Sequence, residues 1–174
     1  MIVRKQLLVA NSRVNADRVL SMVGDDPELL VQLMVCFLGD EVRVAQRAAQ
    51  VVGDFGRRNP GPLLPWLSDI VDAIENPVHQ AIRRNGVRFF SELAEPLPAK
   101  LEKKLIRMCG QFVADRNVDV AIGAFSMSFI ADRADRYPTA ANQLCKDLRA
   151  RMPDASSGFA NRANKVLKQL APKL

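Results

Sequence analysis

The sequence predicts an all-α chain arranged as an array of antiparallel helix pairs, with about ten helices in all. Three observations predict it. Apolar residues recur with helical spacing in almost every segment, and period-two alternation of useful length does not occur. Proline, glycine and capping residues break the chain at short intervals, which favours helices that turn back on their neighbours. One order of residue types also returns along the chain, with leading positions 44, 82, 122 and 159 separated by 38, 40 and 37 residues.

Taken in order, the N-terminal segment has apolar character at Ile2, Val3, Leu7, Leu8 and Val9, but its basic pair follows apolar residues, so a signal peptide is not expected. These apolar residues are instead a possible contact to a larger assembly. Asp26-Pro27-Glu28 supplies an N-cap, a proline at the first helical position and an acidic first turn, which predicts a helix to about Leu38. Leu29, Leu30, Leu33, Met34, Phe37 and Leu38 form its apolar stripe. Gly39-Asp40 should close that helix and cap the next, and Asn59-Pro60-Gly61-Pro62 should separate helices near 41–57 and 62–75. Asn76-Pro77, Glu95-Pro96 and Tyr137-Pro138 mark further starts, ahead of helices near 98–113 and 139–151, and 152–158 reads as the most loop-like stretch after residue 25.

The repeat has a physical reading. Val44 leads Ala48-Ala49, Val51-Val52, Gly53 and Phe55; the order returns at Ile82…Gly86-Val87…Phe89-Phe90…Leu93, at Ile122…Ser126-Met127…Phe129-Ile130, and at Phe159…Ala163…Val166-Leu167…Leu170. Small residues let one helix approach its neighbour closely, and the apolar pair fills the groove between repeats. A shortened first unit contains Met22-Val23-Gly24. The chain is expected to form one domain over residues 1–174, with units at roughly 15–39, 40–76, 77–115 and 116–153 and a terminal cap helix at 155–172. A generic helical bundle with similarly spaced helices is the alternative.

Composition fits a folded, soluble, cytoplasmic protein: 48% of residues are apolar and 25% charged. No apolar run approaches the roughly 18 residues that cross a bilayer, so no membrane partner is expected. Cys36, Cys109 and Cys145 each lie inside an apolar helical stretch, which suits reduced core thiols. Net charge is +6, distributed as +3 over residues 1–20, −5 over 21–82 and +8 over 83–174. Such a balance steers a polyanion or an acidic protein to one end, or merely solvates the surface.

At Leu33 to Gly56 the order Asp40, Val44, Ala48-Ala49, Val51-Val52-Gly53 and Phe55 resembles the HEAT-repeat pattern, and the resemblance covers about residues 15–170. The arginine that usually follows the leading apolar residue of that pattern stands only at Arg83, with Ala45 and Gly123 elsewhere, and Arg133 takes the last apolar position of the third full unit. The resemblance implies a right-handed superhelical α-solenoid whose second helices line a concave face, and a non-enzymatic adaptor or scaffold that binds a protein there.

Those second helices change sign along the chain. The helix near 62–75 offers Asp69, Asp72 and Glu75; the helix near 98–113 offers Lys100, Lys103, Lys104 and Arg107; the helix near 139–151 adds Lys146 and Arg149. The six basic residues are the expected partner-binding set, for acidic side chains or for phosphates. Oligomeric state is left open. Catalytic, metal and cofactor sites are not expected: His79 is the single histidine and sits at a helix start, and zinc-type Cys/His spacings and phosphate loops do not occur. The alternative function is nucleic-acid binding, because HEAT-like glycosylases of alkylated DNA use Trp, Asp and Arg, which Trp66, Asp69 and Arg107 echo. Scarce aromatic residues argue against sequence-specific reading of bases.

Overall fold

The computed structural model describes residues 1–173, and every regular element among them is helical. The α-helices are α1 (Ile2–Val9), α2 (Arg13–Val23), α3 (Pro27–Leu38), α4 (Val42–Arg58), α5 (Leu67–Glu75), α6 (Gln80–Glu92), α7 (Ala99–Ala114), α8 (Val120–Ala131), α9 (Pro138–Arg151) and α10 (Ser157–Leu170). Short 3-10 turns cover Gly61–Trp66, Met152–Asp154 and Ala171–Lys173. The chain divides into two compact units, one over residues 1–89 and one from Phe90 onward, and α6 runs across the division. None of the described helices is long and apolar enough to cross a membrane.

Local chemistry sets the helix ends, and in several places differs from the simplest reading of the punctuation. Asp26 caps α3 as expected, its carboxylate accepting from the amides of Glu28 and Leu29. Asp40 does not cap α4. Glu41 takes the N-cap position without a side-chain bond to the helix, because its carboxylate is held by Arg4 at 2.8 Å. Residues 61–66 are a 3-10 turn and not the start of the next helix, since Pro65 has no amide to enter an i→i−4 ladder. α6 waits until Gln80, where His79 Nδ1 accepts from the Ala81 amide at 3.0 Å. α7 waits until Ala99, because Pro96 and Pro98 hold the residues before them out of the helical region. The stretch 152–158 is mostly helical: a 3-10 turn, then α10 capped by Ser156.

Within each unit a helix packs against the next helix and against the next but one. In the first, α1 meets α2, α3 and α4, α2 meets α3 and α4, and α3 runs along α4 and touches α5. In the second, α7 meets α8 and α9, α8 meets α9 and α10, and α9 meets α10. Contacts between a helix and the next but one thus recur in both units, and α1 also reaches α4.

The repeated residue order falls on the even helices. If the leading position is n, then n, n+4, n+7 and n+11 are all buried in α4 (Val44, Ala48, Val51, Phe55) and from α6 (Ile82, Gly86, Phe89, Leu93). They are buried again from α8 (Ile122, Ser126, Phe129, Arg133) and in α10 (Phe159, Ala163, Val166, Leu170). The same frame fits α2 from Ser12, with Ala16, Val19, Leu20 and Val23 buried. Position n+4 is small because something stands on it: a Cβ on Gly86 would lie 2.6 Å from the Ile74 side chain of α5. Gly56 is tighter still, with the Phe89 ring at 2.6 Å and Leu63 at 2.9 Å from the place of its Cβ.

All three cysteines are buried free thiols. Burial pushes Cys109 up to about 12, so it holds almost no thiolate at neutral pH and behaves as a core residue.

Two glycine substitutions separate close packing from intrinsic helix propensity. Gly56→Ala should destabilise the protein by about 1–3 kcal/mol through overpacking against the Phe89 ring. Gly110→Ala, in the middle of α7 with nothing within 4 Å of the added carbon, should stabilise it by about 0.5–1 kcal/mol. Denaturant midpoints of the two variants measure this; changes of the same sign would contradict the packing described.

Candidate binding surfaces

The expected basic residues lie in the second unit, on two helices that pack together. Lys100, Lys103 and Arg107 of α7 and Lys146 and Arg149 of α9 are exposed, and Lys104 is half-buried. Whether they look the same way follows from the buried positions. Glu102, Leu105, Ile106 and Cys109 of α7 are buried, and so are Ala141, Leu144, Cys145 and Leu148 of α9, each 39 residues later. Exposed residues at the same offset then share a side, which sets Lys146 at the place of Arg107 and Arg149 at that of Gly110. Lys100, Lys103 and Lys146 form no ion pair among the described residues. The acids of these helices are engaged elsewhere: Glu102 points inward, and Asp147 accepts from Gln143 at 2.9 Å.

A second basic surface, on the even helices of the first unit, is hidden in the running charge of the sequence. Residues 21–82 sum to −5, yet the charges of that unit are sorted by helix. Every basic residue of α2 and α4, and of α6 as far as Phe89, is arginine: Arg13 and Arg18; Arg43, Arg47, Arg57 and Arg58; Arg83, Arg84 and Arg88. Asp25, Asp26, Glu28, Asp40, Glu41, Asp69, Asp72 and Glu75 all stand on odd helices or in connections.

Several of these arginines hold the fold. Arg47 donates to the Leu7 carbonyl at the end of α1 at 2.7 Å, and Arg83 donates to the Ile74 and Glu75 carbonyls at the end of α5 at 3.2 Å. Such bonds satisfy carbonyls that a helix C-terminus leaves open. Arg13 and Arg57 both reach the buried carboxylate of Asp54. By contrast Arg18, Arg43, Arg58 and Arg84 are exposed and form no ion pair or hydrogen bond among the described residues.

Two buried carboxylates anchor the helix layers. Asp54 serves the first unit as described. In the second, Glu102 of α7 accepts from Arg133 Nε at 2.9 Å, from Arg136 at 2.6 Å and from the Tyr137 hydroxyl at 2.9 Å. Arg133 is 8% exposed and lies over the Phe129 ring at 3.8 Å. This explains the polar residue at n+11 of α8, where the other repeats carry Phe55, Leu93 and Leu170. Glu102 is a structural counter-ion from a position the basic pattern of α7 did not single out; the misfit at Arg133 was the only sequence signal for it.

A cleft of about 350 Å³ lies between Arg116, Val118, Val120, Arg151, Asp154 and Phe159 in the second unit. Its charged groups are occupied. Arg116 pairs with Asp154 at 3.1 Å, while Arg151 donates to the carbonyls of Val113 and Asp115 and stacks on Phe159 at 4.2 Å. Arg151 thus closes the C-terminus of α7. Smaller clefts of about 180 and 210 Å³ share Gly24, Asp25 and Phe55 in the first unit, and the former includes Arg58.

Trp66 is half-buried where the 3-10 turn meets α5, and Asp69 is exposed one turn on, both in the first unit; Arg107 belongs to the second. Among the described residues no group of three or more His, Cys, Asp or Glu is placed to hold a metal ion. The chain matches no family model, no curated protein and no solved structure.

The Glu102 cluster makes a testable claim about buried charge. Glu102→Ala should cost about 3–5 kcal/mol, because it leaves the Arg133 guanidinium buried without a counter-ion. Combining Glu102→Leu with Arg133→Leu should recover most of that loss, since leucine is the residue at n+11 in two other repeats. Urea denaturation of the single and double variants decides it. A double variant as unstable as Glu102→Ala would mean that the cluster contributes more than charge balance.

Proposed function

We propose that the chain is a non-enzymatic, HEAT-like helical-repeat protein that binds an acidic protein partner through the basic side of α7 and α9. The observation that carries this reading is the shared burial register of those helices, which aligns Lys103, Arg107, Lys146 and Arg149 on one side while the acids of both helices are turned inward or paired. The even-helix register at 12, 44, 82, 122 and 159 supports the solenoid part of the reading, as does packing against the next and next-but-one helix.

A protein fits this side better than a nucleic acid. Half of the four aligned residues are lysines, whose ammonium is a flexible point charge suited to scattered carboxylates. The side also lacks a stacking platform: Phe112, the sole aromatic residue of α7 and α9, is buried. Association with an acidic partner should be fast at low salt and slow markedly as salt screens the charges.

Pull-down from cell extract with quantitative mass spectrometry, run with wild type and with Lys103→Glu/Arg107→Glu, tests the proposal. A specific acidic partner should be retained by wild type, lost from the double variant and weakened by salt, with the circular-dichroism spectrum unchanged. A folded double variant that keeps every specific partner would overturn it.

A further inference from the structure

We infer that the even-helix side of the first unit is a second binding surface, one that takes the phosphate backbone of a nucleic acid without reading its sequence. The inference uses none of the residues of α7 and α9.

The argument begins with which positions are left outward. On the even helices n, n+4, n+7 and n+11 point into the core, so the opposite stripe holds n+2, n+6 and n+9, with n−1 and n+13 in line. In α2 these positions are Val14, Arg18 and Ser21. In α4 they are Arg43, Gln46, Gln50 and Arg57, while Gly53 at n+9 is buried against Asn85; in α6, within the unit, they are Arg84 and Arg88, with Ala81 at n−1 buried. Apart from Val14, the exposed and half-buried positions of the stripe carry guanidinium, amide and hydroxyl groups, with no carboxylate among them. The n+6 row alone reads Arg18, Gln50 and Arg88 across three successive even helices.

Residue type points to the ligand. A surface meant only to be wetted has no reason to use arginine to the exclusion of lysine, whereas arginine's planar fork matches two phosphate oxygens. The amides and hydroxyls between the arginines are the other groups that contact phosphate and sugar. Carboxylates, which would repel phosphate, are displaced to the odd helices and connections, and the two on these even helices within the unit, Asp17 and Asp54, are paired with Arg13 and Arg57. Among the described residues, the stripe's guanidiniums of Arg18, Arg43 and Arg84 remain uncommitted. No outward aromatic side chain interrupts the stripe, so contact is to the backbone and not to bases.

Fluorescence anisotropy with labelled mixed-sequence duplex DNA and with single-stranded RNA tests this, at two salt concentrations and with poly-glutamate as a non-phosphate polyanion. The wild-type chain should bind at least one nucleic acid at low salt, lose affinity steeply with salt, and bind poly-glutamate more than about tenfold more weakly. Arg18→Gln/Arg43→Gln/Arg84→Gln removes exposed groups of the stripe that hold no internal partner among the described residues, so it should fold as wild type while affinity falls about tenfold or more and the salt slope flattens. Lys103→Glu/Arg107→Glu should change nucleic-acid affinity by less than about threefold, which keeps this surface distinguishable from the acidic-protein site. No binding at low salt, equal binding of poly-glutamate, or an unaltered affinity in the folded triple variant would each overturn the inference.

Discussion

The close approach that the even helices make through one narrow stripe governs the rest of the architecture. Where Gly86, at n+4, meets Ile74 there is no space for even a methyl group, and the same holds beside the stripe where Gly56 meets the Phe89 ring. Dispersion contacts at that distance are collectively large, and a void or an extra carbon forfeits them. A small residue at n+4 with apolar residues at n, n+7 and n+11 therefore fixes which side of each even helix is inward. With that side committed, the opposite side is outward in every repeat. The arginine stripe of the first unit is a consequence of this geometry as much as a set of substitutions.

Much of this was legible in the sequence, because helix packing is written in residue size and periodicity. The register at 44, 82, 122 and 159 named buried positions without reference to coordinates, and it extends to Ala16, Val19 and Val23 once α2 is aligned with the others, although the leading position there is the exposed cap Ser12. Helix starts were less legible. Glu41 is drawn to Arg4, 37 residues away, and so does not act as a cap; no local pattern encodes that. The prolines at 65, 77, 96 and 98 were visible, but each shifts a helix start by several residues through the backbone it restricts.

The basic residues of α7 and α9 could be listed from spacing, but their common orientation needed the burial of Ile106 and Cys145 at matching places. The arginine surface was invisible for a different reason. Charge summed along the chain alternates between acidic segments and their basic neighbours, so a −5 total over residues 21–82 hides helices on which arginine outnumbers acid. Summing by helix, and not by window, reveals them.

Buried and outward charges in this chain obey different rules, and the contrast bears on what the outward ones are for. Asp54 and Glu102 are each surrounded by two basic side chains, as burial of a carboxylate demands. A fold selected for stability alone would treat its surface arginines similarly, placing an acid one turn away, as Asp17 stands to Arg13. Arg18, Arg43 and Arg84 have no acid one turn away in their own helices, and their mutual repulsion weighs against the compact state. The acids that would relieve it exist in the same unit, on α5 and in the connections, but on other elements. Leaving guanidiniums unpaired on one stripe while carboxylates are spent elsewhere is what a surface does when its counter-charge arrives from another molecule.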